Sequence, residues 1–379
     1  MRWWWLIPLV ALVLAGLAER AAHVRRLRRI PVRILVNGTR GKTSVTRLIA
    51  AALNAGGVRA VAKCTGSDPR EILPDGTERP TPRPHGARIT ELFGFVRRAL
   101  SHEARAIVVE CMAVLPETQR ALSRHLVQPT IIVMTNAVVD HVDELGADER
   151  ETAQGLAFSL YPGAVLVTAE QFFADWPQVV PPDRDQLPDG YLDRFSFPAF
   201  EHNVRLALAV AALAGVDRED ALRGMPLAQP DIGMAGPFEV GSSLIVNAFA
   251  ANDPASTQAR YELALPQMAA RGHVVMLYNH RADRIYRLKG FLPFLRGALA
   301  HGAQLLVTGE DAASAARYFG RQLSCPCDVV PPARLTDAAF YAPRQAIFCV
   351  GNIKGAGADM IHYCMDQQKE PCHADGHLS

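Results

Sequence analysis

The chain has 379 residues, enough for two domains with full cores. Forty basic residues against 38 acidic ones leave a net charge of +2, so no overall field favours nucleic acid. The 7 cysteines are scattered without a C-x-x-C pair; Cys325 and Cys327 leave metal ligation open, but reduced thiols fit the pattern better.

Trp3 to Ala18 carries no charged residue and opens with three tryptophans. As a helix it spans about 24 Å, somewhat short of the roughly 30 Å hydrocarbon core of a bilayer. Tryptophan suits a membrane interface, and Arg20, Arg25, Arg26, Arg28 and Arg29 follow directly. That asymmetry predicts a single-pass anchor in the inner (cytoplasmic) membrane with the following domains in the cytoplasm. A cleaved signal peptide is the rival, with Gly16 and Ala18 near a cleavage site.

An apolar run, Val32–Val36, then leads into N-G-T-R-G-K-T-S and an apolar-periodic segment, Lys42–Ala55. Strand, phosphate-binding loop and helix are all present in that stretch. Glycine lets the backbone turn tightly so that successive N–H groups point at an anion, and a helix N-terminus adds partial positive charge. The segment Asn37, Gly38, Thr39, Arg40, Gly41, Lys42, Thr43 and Ser44 is therefore the candidate nucleotide loop. Lys42 is placed to reach the β/γ-phosphates, with a Thr43 or Ser44 hydroxyl on Mg²⁺. Further strands are expected at Val58–Ala62, Ala106–Val109, Thr130–Met134 and Ala164–Val167, with helices at Ala87–Ser101 and His202–Ala214. Alternation of this kind predicts an α/β fold on a mainly parallel sheet. Ser67 to Pro84, with five prolines, reads as a long loop. The Pro- and Gly-rich stretch Met225–Pro237 marks a domain boundary. Beyond it a second, smaller Rossmann-like set runs from Leu244–Val246 to a helix near Ala356–Met365, with a frayed tail. The expected division is 1–30 for anchor and basic segment, 31–235 for the ATP-binding domain and 236–379 for the substrate domain.

In open α/β sheets ligands sit at the carboxyl ends of strands. Glu110 ends one strand, and Asn136, Asp140, His141 and Asp143 follow the next. Oxygen and imidazole groups at that density suit a divalent ion, against the plainer reading of a solvated acidic loop. Asn252 and Asp253 open a helix, where capping is the competing role. Arg281 and Arg284 follow a strand, and their forks suit a carboxylate, although a surface ion-pair set explains them almost as well. Asn279 stands at the same strand end. Asn352 and Lys354 lie in G-N-I-K-G-A-G, whose glycines permit close backbone approach.

G-T-R-G-K-T-S, the strand-end Glu110 and T-N-A-V-V-D-H-V-D together resemble the central ATPase domain of Mur-type amide ligases. Taken with V-E-C-M-A-V, N-A-F-A-A-N-D, R-A-D-R and G-N-I-K-G-A-G, they resemble the ligase subunits of bacterial poly-γ-glutamate (capsule) synthases over essentially the whole chain. The UDP-sugar-binding domain that opens true Mur ligases is replaced by the apolar segment. The resemblance implies ATP and Mg²⁺ as cofactors and glutamate and growing poly-γ-glutamate as substrates. It further implies an acyl-phosphate route to the amide and other membrane subunits as partners. It places Lys42, Glu110 and His141 in catalysis, and Glu110 and His141 on a second ion. Lys63, Thr65 and Ser67 follow the second strand, where related ligases keep a hydroxyl for that metal. His202 and Asn203 resemble an adenine-contacting H-N-x-x-N, with Leu206 where the second asparagine should stand. Two other readings remain: a Mur- or folylpolyglutamate-type ligase with a small acceptor, and a nucleotide-dependent switch. No N-K-x-D base-reading motif supports a GTP switch.

Overall fold

In a computed structural model the chain is described over residues 6–66, 68–83, 86–139, 142–251 and 254–369. It divides into two compact units, Met1–Gln229 and Pro230–Ser379.

The first unit runs α1 (Leu6–Leu27), β1 (Val32–Asn37), α2 (Lys42–Ala55), β2 (Ala60–Lys63), β3 (Arg70–Ile72), β4 (Glu78–Pro80), α3 (Glu91–Ser101) and β5 (Ala106–Glu110). It continues with α4 (Pro116–Ala121), β6 (Ile131–Met134), α5 (Val142–Leu145), α6 (Glu149–Leu156), β7 (Val165–Thr168), β8 (Val179–Val180), α7 (Glu201–Leu213) and α8 (Arg218–Gly224). Its sheet has the order β4-β3-β2-β5-β1-β6-β7-β8. Every pairing from β2 to β8 is parallel. Alternation along β1 sends Ile34 and Val36 into a core under α2, α7 and α8, and Leu35 into a core under α3 and the end of α1. Strands buried on both faces explain why these segments read as continuous apolar runs.

The stretch expected as a long loop contains a hairpin instead. β3 pairs antiparallel with β2 and with β4, extending the sheet beyond its parallel part. Its charged residues are used there: Glu71, fully buried, takes Arg98 and Arg79, and Glu78 takes Arg47 of α2. Ion pairing thus offsets the burial that an apolar pattern would normally signal.

The second unit comprises β9 (Phe238–Val240), β10 (Ser243–Asn247), α9 (Pro254–Ala269), β11 (Val274–His280), α10 (Tyr286–Ala300), β12 (Gln304–Gly309), α11 (Ala312–Leu323), β13 (Cys327–Val329), β14 (Ala346–Gly351) and α12 (Ala356–Lys369). The sheet order is β13-β12-β11-β14-β10-β9, with only β9 antiparallel. Short edge strands β9 and β13 escaped the sequence reading because three residues carry too little pattern.

α1 is one unbroken helix with two environments. Ile7, Leu9, Val10, Leu12, Val13, Leu14 and Leu17 are all exposed, on every side of the helix. His23 and Leu27 are fully buried, with His23 Nε2 bonded to Leu126 O at 2.9 Å and its ring edge-on to Phe93. It is the single described helix long and apolar enough to cross a membrane.

α8 approaches α2 at Gly224, where an added Cβ would collide with Ala55 Cβ and lie 2.7 Å from Ala51 O. Gly224→Ala gains about 0.5–1 kcal/mol of helix preference but overpacks a backbone contact at about 1–3 kcal/mol. The expected result is a net loss of stability, read as a lower urea midpoint. A midpoint at or above that of the parent protein would refute this contact.

Candidate active site

The loop after β1 is shaped by what surrounds it. Gly38 has φ 127° and Gly41 φ 81°, a region that L side chains rarely adopt. A Cβ on Gly38 would collide with Thr135 Oγ1, and one on Gly41 would sit 3.1 Å from Asn203 Oδ1. The end of β6 clamps the same loop. Asn136 Oδ1 accepts from Thr39 Oγ1 at 2.7 Å and from Arg40 N at 3.0 Å, while Thr135 Oγ1 and Asn136 Nδ2 donate to Arg40 O. His202 Nε2 meets Thr135 O at 2.9 Å, tying α7 into the clamp. No side chain caps α2, so its first N–H groups face the loop. Lys42 Nζ donates to Gly38 O at 2.6 Å and to Thr39 O at 3.3 Å, which holds the ammonium across the loop.

Glu110, at the end of β5, is 3% exposed. Its Oε1 accepts from Thr43 Oγ1 at 3.0 Å and its Oε2 from Thr65 N at 2.7 Å. Residues read from three separate stretches, Thr43, Thr65 and Glu110, thus meet at one point. A carboxylate beside a hydroxyl, next to uncapped N–H groups and an ammonium, fits a phosphate with its divalent ion. Ser44 lies half-buried in the first turn of α2. Cys111, beside Glu110, is buried, which pushes its thiol up to about 11 and keeps it an inert neighbour.

Other candidates are turned elsewhere. Asn37 directs its side-chain amide into the sheet interior, donating to Gln119 Oε1 at 3.1 Å and Ser159 Oγ at 2.9 Å. It supports the loop from below; only its main chain is in the loop's path. Lys63 is fully buried on Glu91, Nζ to Oε1 at 3.0 Å, and Arg83 closes a fork on the same carboxylate. Burial lowers the Lys63 pKa, with Glu91 opposing the shift. Ser67, Asp140, His141, Asn252 and Asp253 lie outside the described residues.

In the second unit the ends of β11 and β14 interlock. Asn279, fully buried, donates from Nδ2 to Asn352 O and to Lys354 O at 3.0 Å, and Asn352 Nδ2 donates to Asn279 O at 3.2 Å. A Cβ on Gly309, Gly351 or Gly357 would strike Asn279. Arg287, which the sequence reading missed, donates to Asn352 Oδ1 at 2.7 Å. Its helical position inside α10, outside any glycine-rich motif, gave no signal. Around this knot Arg281 pairs with Asp283 at 2.6 Å, Arg284 meets the Tyr286 hydroxyl at 2.7 Å, and Lys354 is exposed.

Two family models match the chain: the Mur ligase middle domain over residues 36–155 and the poly-gamma-glutamate synthase CapB C-terminal domain over residues 235–367. The PGA synthase CapB of Bacillus subtilis (strain 168) is 30% identical over 392 residues, spanning 95% of this chain and 96% of that protein. The capsule biosynthesis protein CapB of Bacillus anthracis is 29% identical over 389 residues, spanning 95% and 82%. Among solved structures, E. coli FolC in complex with ADP superposes with a TM-score of 0.60 at 16% identity, over 94% of each chain. At that identity the likeness is one of fold.

The Lys63–Glu91 pair generates a prediction. Removing one partner of a buried ion pair costs about 3–5 kcal/mol, because the other charge is left uncompensated. Glu91→Gln is expected to destabilise the protein strongly, and Lys63→Met added to it should restore much of the loss. Denaturant unfolding of the single and double variants checks both; a silent Glu91→Gln would show that the pair holds nothing together.

Proposed function

The chain belongs to the Mur ligase superfamily and, within it, to the family of the poly-γ-glutamate synthase CapB, and on that premise we propose that it joins glutamate to poly-γ-glutamate. It is an ATP-dependent acid–amino-acid ligase that uses ATP with Mg²⁺. The observation that carries the reading is the meeting of Thr43, Thr65 and Glu110 beneath an uncapped, glycine-bent loop.

In this reading the loop N–H groups and Lys42 hold the β/γ-phosphates, with Lys42 exchanging its bonds to Gly38 O and Thr39 O for phosphate oxygens. Thr43, Ser44 and Glu110 would hold the divalent ion, with His141 and Ser67 as further candidates; the ion supplies charge neutralisation at the transferring phosphoryl group. A carboxylate of the acceptor attacks the γ-phosphorus and ADP leaves, giving an acyl phosphate. The glutamate amine then attacks the acyl carbon, phosphate leaves and the amine loses a proton. The chain's part is to position and to neutralise charge, which dominates phosphoryl transfer. Asn136 and Asn203 keep the loop in shape beside the nucleotide. Arg281, Arg284 and Lys354 hold substrate carboxylates, with Asn252 and Asp253 as further contacts, and Asn279 and Asn352 fix the strand ends that carry them.

The exposed apolar part of α1 is an anchor in this reading. Side chains apolar on all faces need a cover that water does not give, and the arginines that follow orient it with the catalytic units in the cytoplasm, beside other membrane subunits of a synthase.

Phosphate release from membranes carrying the protein, with ATP and Mg²⁺, should rise when glutamate and poly-γ-glutamate are added, and labelled glutamate should enter polymer. Lys42→Ala and Glu110→Ala are each expected to lower that release by a factor on the order of a hundred to a thousand while leaving the circular dichroism spectrum unchanged. Release indifferent to glutamate, or wild-type turnover in either variant, would overturn the assignment. Removal of residues 1–18 spares the packed His23 and Leu27 and should move the protein from the membrane pellet to the supernatant on sedimentation. A truncated protein that still pellets would remove the anchor.

A further inference from the structure

Several arginines on the faces of the first unit are neutralised: Arg47 by Glu78, Arg98 by Glu71, Arg83 by Glu91, Arg205 by Glu201 and Arg218 by Asp183. Arg120 and Arg124 are not. Both are exposed, one helical turn apart, and neither makes an ion pair among the described residues. Glu117, one turn before Arg120, pairs with neither, and Glu151 on α6 is engaged with Ala147 N. Like charges at this spacing destabilise a helix slightly. Arg120 lies over the Phe158 ring at 5.0 Å, which holds its fork in place without satisfying its donors.

The two guanidinium groups line a depression of about 260 Å³ with Gln154, Ala157, Phe158 and Leu160. Gln154, Ala157 and Leu160 also line an adjoining hollow of about 420 Å³ that adds Arg150, Phe172 and Trp176, with one carboxylate, Asp175. Cationic, apolar and aromatic side chains therefore line these adjoining hollows together. Its position in the fold is specific. α4 follows the strand that ends in Glu110 and passes straight into a single π-helical turn, Leu122–Val127. That turn receives α1: Leu126 O bonds His23, and His125 Nδ1 lies 3.4 Å from Arg20 Nη2. Arg120 and Arg124 thus stand on the helix that leads from the catalytic edge of the sheet to the seat of α1.

We propose that the groove at Arg120 and Arg124 is a binding track for the polymer itself, a γ-linked polyglutamate chain, outside the catalytic site. The inference rests on the ligase reading above. Such a chain carries one free carboxylate per residue with an aliphatic stretch between, and the groove offers guanidinium forks beside apolar and aromatic surface. A product held there stays with the enzyme between additions, so the track governs chain length and leaves the chemical step alone.

The test uses the full-length protein in uncharged detergent, with fluorescently labelled poly-γ-glutamate as the probe, and compares the parent with Arg120→Ala/Arg124→Ala and Arg120→Lys/Arg124→Lys. Loss of two charge-assisted contacts should weaken binding of long polymer by about tenfold or more, and the alanine variant should make shorter product. Phosphate release with a saturating short γ-glutamyl acceptor should stay at the parental level, and the lysine variant, which keeps charge, should lie between. Parental polymer affinity and product length in the alanine variant would overturn the proposal. So would equal loss of polymer binding and short-acceptor turnover, which marks a general structural role that the lysine variant would share in proportion to its unfolding. Arginine-dependent binding to phosphatidylglycerol vesicles with no binding of polymer would also overturn it, in favour of lipid. Failure of the ligase reading looks different: the parent protein itself then shows no glutamate-dependent phosphate release.

Discussion

A carboxylate removed from water must have its oxygens met, and Glu110 sets that requirement at the centre of the first sheet. Its two oxygens are satisfied by Thr43, in the first turn of α2, and by the main chain at Thr65, past the end of β2. Three chain segments far apart in sequence are thereby brought into one register. The phosphate loop, the second strand end and the acid cannot be displaced separately. A cation placed between Thr43 and Glu110 would find a hydroxyl and a carboxylate already facing each other, which limits the reorganisation needed to hold it.

The loop was legible because each of its features has a chemical cause visible in residue type. Gly38 and Gly41 take backbone angles other residues avoid, and the apolar runs on either side fix strand and helix. The α/β alternation was legible for the same reason in both units. What was illegible depended on partners. The hairpin β3–β4 reads as a charged, proline-rich loop until Arg47, Arg79 and Arg98 are seen to neutralise its acids. Asn37 stands inside the motif, yet its amide faces Gln119 and Ser159, and nothing local distinguishes that orientation. Lys63 belongs to a strand end that looks catalytic by position, and its buried pairing with Glu91 was beyond the reach of spacing arguments.

The second unit treats its strand ends differently. There the polar residues nearest the sheet, Asn279 and Asn352, are spent on each other and on main-chain groups, with glycines making room. The charged groups stand one layer further out, on Arg281, Arg284, Arg287 and Lys354. Rigid amides inside and charges outside give a platform on which the charged groups can vary while their support stays fixed. Asn279, just before R-A-D-R, and G-N-I-K-G-A-G look separate in the sequence and are hydrogen-bonded to each other in the fold.

The packing of Asn203 over Gly41, and of His202 against Thr135, also has a consequence for the order of events during synthesis. The glycine loop leaves the ribosome early, but the side chains that close over it belong to α7, near the end of the first unit. A nascent chain paused anywhere before that helix holds the loop motif without its completed shape. The closed shape of the loop is therefore reached only once α7 has been made.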